Sequence, residues 1–427
     1  MDTFDVVIVG TGPAGLGAAF ELSGRKPDLR ILMLDKAPVS TGGLRNDCKM
    51  NFTYPIGFPE DVWSETEGNS YLARVEALLK PELMDRRNMD IYARRAAKLG
   101  VRLLEIRQAH LGTDGGLVLI KDLIQELERR GVTASLGETV ERVDAAGRIL
   151  FTDKREIAYA DLILAPGRGG FSFLQHVMKD LEIPYRDNAV DIGMRVELKE
   201  ERYAIVRDYY DPKFLFPKKT RTFCTNSRCA YVVQEKYATE DGRVWYSANG
   251  HAYSHSRPAN GLANFALLKT VTLTQPLASG QDYASMLGVQ ASLIGGGHPI
   301  MQRVGDFRLG KRSTREAFSG DLYDFEPTLP SACPGDLGLS APAKVLRSIW
   351  NALKLLDTIV PGVLHPSTIL YYPEIKLYAN RPVFLDSYFM AAPSLRLIGD
   401  GAGTSRGITG AWASGIRAAD GILTEDS

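Results

Sequence analysis

Apolar residues along this chain fall into two spacings, and their alternation outlines the fold. Phe4-Asp5-Val6-Val7-Ile8-Val9 is a short β-branched run of the kind that fills a buried parallel strand. Leu16 to Ser23 follows with helical spacing, and Arg30-Ile31-Leu32-Met33-Leu34-Asp35 is a second apolar run, so the chain opens with one βαβ unit. Polar-faced helices are predicted near Asn69–Leu79 and Asp85–Leu99, with a strand over Val101–Ile106. Leu119, Ile120, Leu123, Ile124 and Leu127 share one face of a helix over Leu117–Arg130, which Thr113 or Asp114 can cap. Val132–Val143, Arg148–Thr152 and Asp161–Ala165 are strand candidates.

From about Arg186 to Leu370 the pattern becomes an alternation. Asp191–Glu197, Ala230–Gln234 and Val244–Asn249 read as half-buried antiparallel strands. A buried strand then returns at Leu395–Asp400, followed by a Gly/Ala-rich helix over Ile408–Ile422. The expected fold class is α/β. A Rossmann-like domain is split between residues 1–185 and 371–427, and an α+β substrate domain on an antiparallel sheet is inserted at 186–370.

Composition narrows the class. Hydrophobic residues make up 44% and charged residues 24%, the mix of a globular protein. Lys plus Arg and Asp plus Glu are both 51, which argues against a nucleic-acid or acidic-membrane binder. The Val6–Val9 run lacks a basic flank, and no stretch of about 20 apolar residues occurs, so the reading is cytoplasmic with no membrane span. Cys48, Cys224, Cys229 and Cys333 form no CxxC pair, which speaks against a disulfide framework or a zinc site. Glycine is in excess, 41 of 427 residues.

Some of those glycines have assignable work. Gly10, Gly12 and Gly15, with Pro13 and Ala14 between them, join a strand to a helix, and the next strand ends in Asp35-Lys36. In such a junction Gly10 permits the tight turn, Gly12 lets backbone approach a pyrophosphate and Gly15 permits close helix–strand packing. The helix N-terminus binds phosphate, and Asp35 is placed to accept from both ribose hydroxyls. Late in the chain, Gly399-Asp400 ends a strand where a polyol or pyrophosphate could meet it. Gly407-Ile408-Thr409 opens a helix whose positive end can face the N1/C2=O edge of a flavin. A second glycine-rich strand–helix junction is needed for FAD and not for NAD alone; the other reading of this segment is a C-terminal packing helix whose small residues allow close approach.

These residues resemble the glutathione-reductase-like FAD superfamily, through Gly10-x-Gly-Pro-Ala-Gly15, Leu164-Ala-Pro-Gly167 and Ile398-Gly-Asp400. More narrowly, the chain is similar to the poorly characterised FAD-dependent (NAD-utilising) dehydrogenase family. That similarity includes Gly42-Gly43 through Asp47-Cys-Lys49, His110-Leu-Gly-Thr-Asp114, Asn249-Gly-His251 and Gly399-Asp-Gly-Ala-Gly403. The resemblance implies redox chemistry on FAD. It also implies that Val140 contacts the adenine through backbone, that Ala165-Pro166-Gly167 passes the adenosine end, and that Gly42 and Gly43 border the pyrophosphate or isoalloxazine.

The aromatic-monooxygenase Asp-Gly motif is replaced here by Ala-Pro-Gly-Arg, and no second GxGxxG or redox CxxC is present. Gly295-Gly-Gly-His298 reads as a loop. The electron donor is then NAD(P)H docking transiently, a carrier protein or the substrate itself. Lys49 is read as a partner of flavin N5 or of an anionic substrate, or as a solvated charge, with Asp47 orienting it. His251 is a proton-relay candidate or a structural histidine. His251 and His255, four apart, lack an acidic third ligand, so no metal is expected. Cys48 reads as packing or a redox thiol. The basic run Lys213–Arg221 reads as a solvated edge or a grip for an acidic ligand. The function expected is two-electron dehydrogenation or reduction of a small organic substrate at flavin N5, between the domains. The alternatives are a flavin monooxygenase and a non-catalytic FAD-binding module.

Overall fold

The opening apolar run forms the strand its β-branched residues favour. The computed structural model describes residues 1–39, 43–46, 48–239, 241–253, 258–277, 279–318 and 325–425. Strand β1 (Asp2–Val9) leads through a glycine turn to helix α1 (Pro13–Arg25) and strand β2 (Ile31–Asp35). Helix α2 (Gly112–Arg129) precedes β3 (Thr133–Leu136), and β4 (Val140–Asp144), β5 (Ile149–Thr152) and β6 (Glu156–Leu164) follow. Helix α2 begins at Gly112 with Leu111 as its cap, so Asp114 falls in the first turn, where a carboxylate meets the helix dipole, and does not cap it. The strand expected over Val132–Val143 is broken at Gly137, whose φ of +68° interrupts the extended backbone.

Contacts divide the chain into two units, Met1–Met84 with Ile106–Asn188 and Tyr378–Ser427, and Asp85–Glu105 with Ala189–Leu377. Asp85–Glu105, which the sequence pattern left with the Rossmann-like part, counts with the second unit. The physical reason is its strand Arg102–Leu104, which pairs antiparallel with β8 (Lys213–Phe216).

The second unit is built on an eight-stranded sheet. Its middle strands are β7 (Val190–Lys199), β9 (Thr220–Asn226), β12 (Leu262–Val271) and β13 (Ile369–Lys376), and β10 (Ala230–Ala238) with β11 (Val244–Ala252) forms a separate hairpin. The hairpin strands alternate as expected. β7 does not: up to Leu198 it is buried on both faces, and Asp191, Arg195 and Glu197 are paired inside the sheet. Arg195 meets Glu374 at 2.7 Å with both side chains fully buried, and Asp191 meets Arg221 at 2.6 Å. Arg221 and Lys213, whose ammonium meets Asp211 at 2.7 Å, are the ends of the basic run, so those ends are internal ion pairs and not a solvated edge. Gly295–His298 is a loop between helix α3 (Gly280–Ile294) and the strand Ile300–Arg303.

The chain returns to the first unit with β14 (Leu395–Leu397) and helix α4 (Gly407–Glu425). The order β14–β6–β1–β2–β3 is parallel throughout, with Leu395 opposite Leu162, Val6 opposite Asp161 and Ile31, and Leu32 opposite Thr133. Helices α1, α2 and α4 cover one face and the helix Phe171–Asp180 packs on the other through Leu174, Val177 and Met178, which explains why these strands are continuous apolar runs. Among the described residues no helix is long and apolar enough to cross a membrane.

Helices α1 and α4 touch backbone to backbone. A Cβ on Gly17 would lie 2.3 Å from the Trp412 carbonyl oxygen, and one on Gly415 would lie 2.0 Å from that of Ala14. Gly24, on the same helix α1, has room for a Cβ, with its nearest neighbour 3.6 Å away. Gly17→Ala is therefore expected to cost about 2 kcal/mol or more through helix displacement, whereas Gly24→Ala is neutral or stabilises by about 0.5–1 kcal/mol. Urea midpoints of the two variants check this; equal values would refute the close-packing account.

Candidate functional site

The carboxyl ends of the parallel strands are stitched by backbone hydrogen bonds. Gly10 N–H donates to Leu34 O (2.7 Å), Ala165 N–H to Val9 O (2.8 Å) and Ile398 N–H to Leu164 O (3.0 Å). The loops leaving these ends therefore emerge side by side, at the edge where open α/β sheets bind ligands. They enclose a cavity in the first unit.

The three glycines of the first turn do different work. Gly10 has φ +108°, and a Cβ there would lie 2.2 Å from Ala165 O. A Cβ on Gly15 would lie 1.9 Å from Gly10 O, so Gly15 packs and does not line the cavity. Gly12 has nothing within 4 Å of its Cβ position, so its backbone faces open space. No side chain caps α1 at Gly12, and Pro13 and Ala14 complete this wall. Helix N–H groups and dipole are thus left to a ligand.

Opposite lies the start of α4, with Gly407, Ile408 and Ala411 in the lining. Asp400 takes the Gly407 N–H at 3.0 Å and the Ser405 hydroxyl at 2.9 Å, with Arg168 Nε at 3.9 Å. Burial raises its pKa, opposed by the Arg168 charge, the Gly407 N–H and the Ser405 hydroxyl. Asp400 thus caps a helix end while lining the cavity beside Gly399. Thr409 is turned away, buried, and donates to Asn51 O at 2.6 Å.

Asp35 and Lys36 line the cavity at the end of β2. Asp35 Oδ2 accepts from Thr11 N–H (2.9 Å) and Thr11 Oγ1 (2.7 Å), and Oδ1 from Ala37 N–H (2.9 Å). These donors hold the carboxylate in place and leave lone pairs for ligand hydroxyls. Val140 lines the cavity with Glu138 and Thr139, and Ala165, Pro166 and Gly167 continue into Arg168, Gly169, Gly170 and Phe173. Gly43 lines it as well, whereas Gly42 lies outside the described residues.

The sequence reading missed Glu138, Thr139, Arg168 and Phe173. Only Ala411, three residues after Ile408 on one helix face, had a visible signal. Glu138 is buried, and its carboxylate accepts from Ser135 (2.5 Å), Thr152 (2.8 Å) and Arg155 (3.1 Å). Burial alone would raise its pKa, but these hydrogen bonds and the Arg155 charge outweigh it and hold the value to about 2.

The candidate catalytic residues are not gathered at this cavity. Lys49 is half-buried on the short strand Lys49–Asn51, opposite His110 of Gln108–His110, outside the lining. His251 belongs to the second unit, on β11 opposite Tyr231. Asp47 and His255 lie outside the described residues. Cys48 is buried, and a Cβ on Gly116 would lie 3.0 Å from its own Cβ.

Because the folded-state pKa of Glu138 is depressed, its stabilisation is present above the unfolded value and is lost as pH falls from about 4.5 toward 2. Its contribution is on the order of 3 kcal/mol. Glu138→Gln is expected to be less stable at neutral pH and to lose less stability across that window. Urea melts between pH 2 and 5 test this; parallel curves would refute it.

A family model, that of the Thi4 family, matches residues 1–56, which include β1, α1 and β2. No curated protein matches the chain. Among solved structures, L-proline dehydrogenase from P. horikoshii is 9% identical, with 99% of this chain and 94% of that one covered and a TM-score of 0.45. Glycine oxidase from Bacillus cereus ATCC 14579 is 11% identical, with 99% and 96% covered and a TM-score of 0.42. The p-nitrophenol 4-monooxygenase PnpA from Pseudomonas putida DLL-E4 is 12% identical, with 100% and 82% covered and a TM-score of 0.41. At such identities the chemistry must be argued from the residues of the site.

Proposed function

We propose that the cavity holds FAD and that the chain is an FAD-dependent dehydrogenase or reductase acting on a small organic molecule. One observation carries this reading: two glycine-rich strand–helix junctions, at Gly10–Gly15 and Gly399–Gly407, open helix N-termini into the same cavity. The fit is supported by Gly12, Gly167, Gly169 and Gly407, where no protein atom lies within 4 Å of a Cβ position, so an extended ligand can lie against backbone.

In this reading the N–H groups at the start of α1 bind the pyrophosphate, and Asp35, oriented by Thr11, accepts from the ribose hydroxyls. Backbone at Thr139–Val140 and Ala165–Gly167 borders the adenosine end. The start of α4 faces the N1/C2=O edge, where its dipole stabilises negative charge. FAD, when bound, supplies two-electron hydride chemistry at N5. The protein's task is to hold the substrate carbon there and to manage protons, for which Lys49 and Asp47 are the proposed side chains. NAD(P)H is proposed as a transient donor, in keeping with the FAD-dependent (NAD-utilising) dehydrogenase resemblance.

The purified protein is expected to show flavin absorption, as isolated or after reconstitution with FAD; its absence in both would end this reading. A Cβ at Gly12 has no protein atom within 4 Å, so Gly12→Val should melt like the parent while binding FAD about a hundredfold or more weakly, since the new side chain fills the pyrophosphate position. Lys49→Ala should keep its FAD content and lose turnover with the donor that reduces the parent. Unchanged kinetics would remove Lys49 from the site.

A further inference from the structure

The first unit contains a second cavity whose lining includes Arg186, Arg381, Arg417, Asp61, Asp386 and Ser387. Tyr185–Arg186 and Arg381–Pro382 form an antiparallel ladder in which Arg186 stands directly opposite Arg381. Residues opposite one another in such a ladder share a face, and like charges there repel. Arg417 arrives from α4 with its side chain 7% exposed. Its guanidinium lies over the rings of Trp63 (4.7 Å) and Phe389 (5.1 Å), near Glu67 (3.3 Å), and donates to Val62 O (3.3 Å).

Arg381 and Arg417 each have a carboxylate partner, Asp61 and Glu67, and the charge left over is that of Arg186. Asp61 is bound to Arg381, and that hydrogen bond holds its pKa below the usual range. Asp386 Oδ1 is taken by the N–H groups of Tyr388 and Met390, both at 2.9 Å. Among the described residues Arg186 has no ion-pair partner. The exposed, unpaired guanidinium of Arg186 therefore shares the cavity lining and the ladder position with Arg381, which is paired with Asp61, and with Arg417, which is paired with Glu67.

We propose that this cavity binds a small oxyanion of the phosphate or phosphate-monoester class, seated between Arg186 and Arg381. Guanidinium forks match the oxygens of such an anion, and its charge relieves the cross-strand repulsion. The Ser387 hydroxyl adds a neutral donor, and the Asp386 carboxylate at the same wall favours a compact anion over an extended polyanion. The site is independent of the flavin reading.

The test is calorimetric and thermal-melting titration of the full chain with inorganic phosphate and with phenyl phosphate, against sodium chloride at matched ionic strength. Saturable binding and a melting-temperature rise are expected for the phosphates and not for chloride. Tighter binding of phenyl phosphate identifies a monoester site, and tighter inorganic phosphate a free-phosphate site. Arg186→Gln should weaken binding about tenfold or more, and in phosphate-free buffer should melt at or above the parent temperature, because the repulsion is gone. Gly12→Val, altered in the other cavity, should bind phosphate as the parent does. Phosphate acting only as chloride does, full binding by Arg186→Gln, or loss confined to Gly12→Val would each overturn the proposal.

Discussion

The first unit depends on the contact between helices α1 and α4, which are separated by nearly the whole chain. Gly17 and Gly415 let their backbones meet, and any side chain there would meet a carbonyl oxygen. That contact holds the start of α1, at Gly12–Pro13, and the start of α4, at Gly407–Ile408, in the lining of one cavity. The dipoles of both helices, with the uncapped N–H groups of α1, then act on a shared volume. Neither helix alone could provide for a ligand with two separated regions of negative charge.

Around that volume the acidic residues have internal partners. Asp35 is held by Thr11 and Ala37, Glu138 by Ser135, Thr152 and Arg155, and Asp400 by Gly407 and Ser405. Glu138, met by charged and neutral donors at once, has its pKa driven far down, while Asp400, where burial dominates, has its pKa raised. The same residue class therefore takes opposite shifts within one lining, and the balance of desolvation against donors decides the sign.

In the second unit β7 shows how an alternation can mislead. Asp191, Arg195 and Glu197 look like a solvent face, yet each finds a partner inside the sheet: Arg221, Glu374 and Tyr371 respectively. Burial of both faces is tolerated because the charges are paired and hydrogen-bonded. The partners lie on other strands, so no local pattern marks them.

By itself the sequence determined the βαβ opening, the work of Gly10, Gly12 and Gly15, the second glycine-rich junction near the C-terminus, and the class of fold. These follow from sterics and hydrogen bonding between near neighbours: a positive φ at Gly10, β-branched runs in buried strands, a helix beginning after a glycine turn. Tertiary structure alone decided that Thr409 packs away from the cavity, and that Glu138, Arg168 and Phe173 join the lining. It also decided that Asp85–Glu105 belongs with the second unit and that Arg186 faces Arg381. Each of these is a contact between segments far apart in the chain. Which distant side chains meet is set by the packing of whole helices and sheets, and the periodicity of a single segment carries no record of it.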